Sequence, residues 1–235
     1  MKKQKKITIK PFLNQKLEPE CSDQDGKTLY PLYIQVTYDR KNTQIRSKYG
    51  TYYDDLNDTM LLNLKEFESK ILYKVIEYET RDINRPYDLK GLKNKYDVYS
   101  MSIHIVMDDY LKWKLEKALQ RTNSELMFVL KYEGFKCNFE NLYKAAQLLF
   151  KNLAEFIPAD FKQEIKAFTL LSKLQPLSRR EYDFPTVIDW KDESFKSLFE
   201  KKLSKELNNK RAVTEMIKIT DKIINDRLKN IIEKT

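Results

Sequence analysis

Four cations, Arg40, Lys41, Arg46 and Lys48, fall within nine residues, and Tyr33, Gln35, Thr37 and Gln44 stand close by in the same stretch. Cations of this kind neutralise phosphates. Arg and Gln on a strand can also make paired hydrogen bonds to base edges in a major groove. Gln35, Thr37, Arg40, Lys41, Gln44, Arg46 and Lys48 are therefore the candidate nucleic-acid-binding residues. The competing reading is an ordinary exposed hairpin whose charges prevent edge-to-edge pairing with other chains. Spacing alone does not separate the two.

Other chemistry is sparse. The one histidine, His104, follows a core position on a helix, so a surface or helix-side role is expected rather than a catalytic one. No GxSxG nucleophile elbow occurs. Glycines at 26, 50, 91 and 134 are too scattered for a phosphate-binding loop. Cys21 and Cys137 have no partner at metal-ligand or disulfide-framework spacing. Asp54-Asp55 and Asp108-Asp109 are sequence neighbours. Helical neighbours point about 100° apart, which suits solvent better than a shared metal. Tyr87 and Tyr182 are two of fifteen tyrosines and carry no nucleophile signature. No cofactor, metal or catalytic residue is expected, and the chain is read as a non-enzyme.

The elements that must position the basic cluster follow from periodicity. Leu29–Tyr49 alternates apolar and polar residues around a four-residue turn, Asp39-Arg40-Lys41-Asn42, the pattern of a β-hairpin. Tyr30, Leu32, Ile34, Val36 and Tyr38 share one face, and Tyr33, Gln35 and Thr37 the other. The returning strand spans about Thr43–Tyr49, with Gln44, Arg46 and Lys48 alternating against Ile45, Ser47 and Tyr49. Ile7–Lys10 predicts a further strand, with Pro11 at an edge or strand end. Glu18–Lys27 reads as a loop. Two strands alone are marginal in water, so a helix must cover the apolar face.

Helices dominate after Gly50. The spacing predicts them over 59–81, 88–96, 103–119, 125–132, 139–156, 159–174, 192–208 and 211–234. Ser100 or Ser102 and Asn138 are the natural N-caps of two of them. The fold class is α+β, mostly α: a small N-terminal three-stranded antiparallel sheet followed by a multi-helix body. The expected organisation is a basic β-rich unit over residues 1–56, a helical domain over 57–175, a linker over 176–190 with its aromatics docked on the helices, and a C-terminal helical pair over 191–235.

The net charge of +9 is concentrated at the ends. Residues 1–50 carry 11 Lys/Arg against 5 Asp/Glu, and residues 191–235 carry 12 against 8, while the middle is balanced. A basic segment that also holds the hairpin is the expected footprint of phosphate binding. No apolar run approaches a membrane span. MKKQKK is followed by ITIKPFLNQK, too polar for a signal peptide, so a cytoplasmic location is expected. The wealth of Lys, Asn, Ile and Tyr with only four glycines points to an AT-rich bacterial genome.

ITIKPFLNQK, YPLYIQVTYDRKNTQIRSKYG and the Tyr52-Tyr53-Asp54-Asp55 run before a helix together resemble the N-terminal arm-type DNA-binding domain of tyrosine recombinases, the integrases of mobile elements. The resemblance covers residues 5–53. It implies a three-stranded sheet, backed by a helix, that presents Gln35, Thr37, Gln44, Arg46 and Lys48 to DNA. The rest departs from the family. Integrase catalysis uses a His-x-x-Arg pair and a tyrosine nucleophile in a large C-terminal domain. Here Ile105, Val106 and Met107 follow His104, and the length leaves no room for that domain.

Three readings follow. The first is a non-catalytic DNA-binding protein, an accessory or regulatory factor of a mobile element, with Lys2, Lys3, Lys5 and Lys6 as a flexible arm on the backbone. The second is a helical protein-interaction or scaffold protein with a structural sheet and a partner anchor in Phe184–Trp190. The third is a metal-dependent nuclease using the Asp54-Asp55 or Asp108-Asp109 carboxylates.

Overall fold

The computed structural model describes residues 6–17, 19–21, 26–48, 52–57, 59–81, 87–120, 137–172 and 185–232. The fold is α+β and mostly α, with a small antiparallel sheet near the N-terminus followed by helices. The chain divides into two compact units that meet between Ser100 and Met101. The helices over 59–80 and 92–99, assigned by sequence to the helical domain, therefore belong with the sheet. The physical reason is that the sheet's apolar face has to be covered by the helices that directly follow it.

In the first unit, β1 (Ile7–Leu13), β3 (Thr28–Tyr38) and β4 (Lys41–Arg46) form an antiparallel sheet with β3 central. Two short pairs, β2 (Glu20–Cys21) and β5 (Tyr52–Tyr53), join the N-terminal end of β3. Alternation sets the faces. Leu32, Ile34 and Val36 are at most 1% exposed, and Ile45, opposite Ile34, is equally buried. Leu32 packs with Leu61 and Leu64 of α1 (Thr59–Thr80), joined by Leu13, Tyr53 and Leu56. Pro11 sits inside β1 rather than at its end, tolerated because β1 lies at the sheet edge. Pro31 stands in the central strand, just beyond the last β4 pair, Tyr33–Arg46, where β5 takes over.

The hairpin turn is shorter than the alternation predicts. Lys41 and Asn42 pair with Tyr38 and Thr37, leaving only Asp39 and Arg40 in the turn. Both have positive φ, 51° and 63°, as in a type I′ turn. That turn wins because its twist matches the right-handed twist of the flanking strands.

A buried carboxylate locks the sheet to its helices. Glu68 of α1 is fully buried. It accepts hydrogen bonds from the Ser47 hydroxyl at 2.6 Å, the Lys48 backbone N–H at 3.0 Å and the Tyr96 hydroxyl of α2 (Leu92–Tyr99). A 3₁₀ turn, Leu89–Gly91, leads into α2. Burial raises the Glu68 carboxyl above its ordinary range, against the lowering effect of these donors.

The second unit is helical. α3 (Ile103–Leu119) is capped by Ser102, whose hydroxyl accepts from His104 N–H at 3.2 Å. α4 (Phe139–Leu149) is capped by Asn138. The helix expected to reach Phe156 stops at Leu149, because Phe150 turns extended and buries its ring; α5 (Leu153–Phe156) resumes after Asn152. α6 (Ala159–Ser172) and α9 (Lys210–Ile232) pack against each other and against α3. α7 (Val187–Trp190) and α8 (Glu193–Leu207) complete the unit. The N-terminal lysines at 2, 3 and 5, the segment 125–132 for which a helix is expected, Arg179-Arg180, Tyr182 and Phe184 lie outside the described residues.

Candidate nucleic-acid interface

The sheet face away from α1 is ordered by strand register. Opposite Thr37 lie Thr8 on β1 and Asn42 on β4. Opposite Gln35 lie Lys10 and Gln44, and opposite Tyr33 lie Phe12 and Arg46. The face thus runs from small polar groups near the turn, through a Lys-Gln-Gln row, to an aromatic and arginine end. Thr8, Lys10, Asn42, Gln44 and Arg46 are exposed, while Gln35 and Thr37 on the central strand are half-buried. The outer strand axes are about 10 Å apart, close to the roughly 12 Å width of a B-DNA major groove.

Of the seven residues that sequence singles out, Gln35, Thr37, Gln44 and Arg46 share this face. Arg40 sits in the turn itself and is exposed. Lys41 is exposed too, but its register opposite Tyr38 gives it the parity of the apolar face. Lys48 lies past the end of β4, and its Nζ donates to the Asp97 carbonyl at 3.4 Å and the Ser100 hydroxyl at 3.3 Å. Lys10 and Thr8 were not among the sequence candidates. The alternation of Ile7, Thr8, Ile9 and Lys10 already carries their face; what it lacks is the partner strand that brings Lys10 beside Gln35.

Arg46 is held in place. Its guanidinium lies over the Tyr52 ring, 5.6 Å from the centroid, a cation–π contact. Phe12 and Tyr33 lie side by side with centroids 6.1 Å apart. The turn holds Arg40 at a φ that a β-carbon disfavours and glycine accepts freely. A cation kept at the tip in a strained conformation is an outlier that invites a functional explanation.

The remaining candidate chemistry resolves into structural contacts. Asp54 pairs with Lys27 at 3.1 Å, which holds its carboxyl below the usual range. Asp55 accepts from the Asn57 backbone at 3.0 Å. Asp108 is buried and accepts the Phe139 N–H at 2.7 Å, while Lys112 pairs with it at 2.7 Å; Asp109 is exposed. Among the described residues no group of three ligating side chains could hold a metal ion. Tyr87 is buried with an unpartnered hydroxyl, and desolvation pushes its phenol far up, away from any nucleophilic phenolate.

His104 is half-buried against Phe168, with Nε2 3.2 Å from the Ser172 hydroxyl, beside a cleft of about 260 Å³ lined by Phe139, Tyr143, Phe168 and Ser172. Burial lowers the imidazole's affinity for a proton. Sequence does not reveal this pair, since its members are 68 positions apart.

Trp190, in the proposed partner anchor, is 1% exposed and donates its indole N–H to Asp221 at 2.8 Å. Val187 and Ile188 are buried as well. Among its described residues the segment presents no exposed aromatic side chain. No described helix is long and apolar enough to cross a membrane. Comparison of the chain with family models, with curated proteins and with solved structures finds no match.

Proposed function

We propose that the protein is a non-catalytic DNA-binding factor acting in the cytoplasm, with the outer face of the β1-β3-β4 sheet laid in a major groove. The observation that carries this reading is the row Lys10–Gln35–Gln44, exposed on both outer strands and half-buried at Gln35, with exposed Arg46 in the next row. Lys10, Arg40 and Arg46 supply phosphate contacts. Gln35 and Gln44, directly opposite one another, supply amides suited to adenine edges. Arg46 is also suited to guanine. Strand-based readers of the major groove use this kind of arrangement. The resemblance of residues 5–53 to integrase arm domains extends the proposal to an accessory or regulatory role in a mobile genetic element.

A labelled-duplex titration over a range of salt tests it. The expected result is steep salt dependence, with a slope that Lys10→Ala plus Arg46→Ala reduces by about two phosphate contacts. Salt-independent binding, or an unaltered slope in the double variant, rejects the proposal.

A second reading, a protein-interaction role for the helical unit, draws on Leu148, Leu149 and Phe156, large apolar side chains exposed within nine residues of one another. Protein partners that survive nuclease treatment in a pull-down would favour it over the DNA reading.

A further inference from the structure

The outer sheet face changes character along its length. Towards the turn it offers hydrogen-bonding groups on all three strands. At the other end it offers rings: Phe12 on β1, Tyr33 on β3 and Tyr52 on β5, with Arg46 held against Tyr52. All three rings are half-buried, so each keeps part of its surface in solvent, on the face where Lys10, Gln44 and Arg46 are exposed.

Hydrogen-bonding groups and ring faces read different parts of a base. In a duplex the edges are open to the groove, whereas the flat faces are hidden in the stack. An aromatic platform gains from a base only when that base is unpaired, and the contact is then tolerant of sequence because every base has a π-face. A guanidinium fixed beside the rings supplies the phosphate partner such a base brings with it, or stacks on it directly.

We infer that this aromatic end binds an unpaired base, so that the preferred ligand is DNA in which a duplex adjoins a single-stranded or unpaired segment. The inference rests on the DNA-binding reading of the same face and adds a substrate class to it. The duplex part lies along Lys10, Gln35, Gln44 and the turn. The unpaired base lies on Phe12 and Tyr33. The alternative is that the rings merely pair across strands to stabilise the sheet.

Three labelled probes of one sequence and length distinguish these in the full-length chain: a blunt duplex, the same duplex with a short internal unpaired bubble, and one strand alone. The bubble is expected to bind at least about tenfold tighter than the blunt duplex, in keeping with the stacking of one or two bases. Phe12→Leu plus Tyr33→Leu keeps apolar bulk but removes the ring faces. It is expected to abolish the preference while leaving blunt-duplex binding within about twofold. Tyr52→Leu, made separately, reduces the preference and guards against a double variant that does not fold. Equal wild-type affinity for bubble and blunt duplex overturns the inference, as does a preference that survives in folded ring variants. If the blunt duplex is bound without preference, the DNA-binding reading stands and only this inference falls. If no probe is bound in a salt-dependent way, both fall.

Discussion

The carboxylate of Glu68 accepts the Ser47 hydroxyl at 2.6 Å, joining the middle of α1 to the end of the hairpin's second strand. Lys48 and Tyr96 donate to the same carboxylate, so one buried side chain fixes β4, α1 and α2 together. Removing the carboxylate takes a shared acceptor away from all three donors.

Glu68→Ala is expected to destabilise the protein by about 2–4 kcal/mol, because it removes the acceptor of three hydrogen bonds, two of them buried, at about 1 kcal/mol or somewhat more each. Glu68→Gln keeps an acceptor and is expected to cost much less. The pH dependence follows from the raised carboxyl. Above the unfolded-state value the folded protein holds a proton that the unfolded chain has released. Glu68's contribution to stability is therefore fully present below that value and is lost as pH rises through the folded one. Urea denaturation from about pH 4 upward should show this decline in the wild type and its absence in Glu68→Gln. A parallel decline in both rules out Glu68 as the cause.

Arg40 trades stability for charge. At φ 63° a glycine relieves strain that arginine bears, so Arg40→Gly is expected to raise stability by about 0.5–1 kcal/mol. The same change should weaken duplex binding and lower the salt slope by about one phosphate contact. Denaturant midpoints and a salt titration on the same variant check the two halves independently. A loss of stability would show that the turn is unstrained.

Gln35 and Gln44 are assigned to base edges rather than to phosphate. Gln35→Ala plus Gln44→Ala should lower affinity for a selected best site by about 1–3 kcal/mol per contacted base, with little effect on random-sequence DNA. The salt slope should be unchanged. A uniform loss across sequences would make the pair a structural amide ladder instead.

Tyr87 is buried with an unpartnered hydroxyl. Its ring contacts Tyr38 at 6.2 Å and lies under Lys95 at 5.2 Å, contacts that phenylalanine preserves. Tyr87→Phe is therefore expected to be neutral or stabilising by up to about 1 kcal/mol, since it deletes only the unsatisfied group. A destabilisation in thermal or urea melts would reveal a partner for the hydroxyl.

Local pattern was enough to place most of the elements. The period-2 run through Leu32, Ile34 and Val36 named both faces of β3, because side chains alternate whatever the strand pairs with. The 3.6-residue stripes located most of the described helices, and Asn138 and the second of two candidate serines, Ser102, marked two starts, because a cap is satisfied by its own next few residues. What needed the tertiary structure was every relationship between distant parts of the chain. Lys10 becomes a neighbour of Gln35 only through the register of β1 on β3, which residue order does not state. Lys48 has the right parity for the outer face, yet its ammonium reaches Ser100 and the Asp97 carbonyl because α2 packs beside the strand end. Glu68 reads as one more polar position on an amphipathic helix until Ser47, Lys48 and Tyr96 close around it. Alternation and caps are decided within a few residues. Pairing, burial of a charge and the reach of a long side chain are decided by what the fold brings to them.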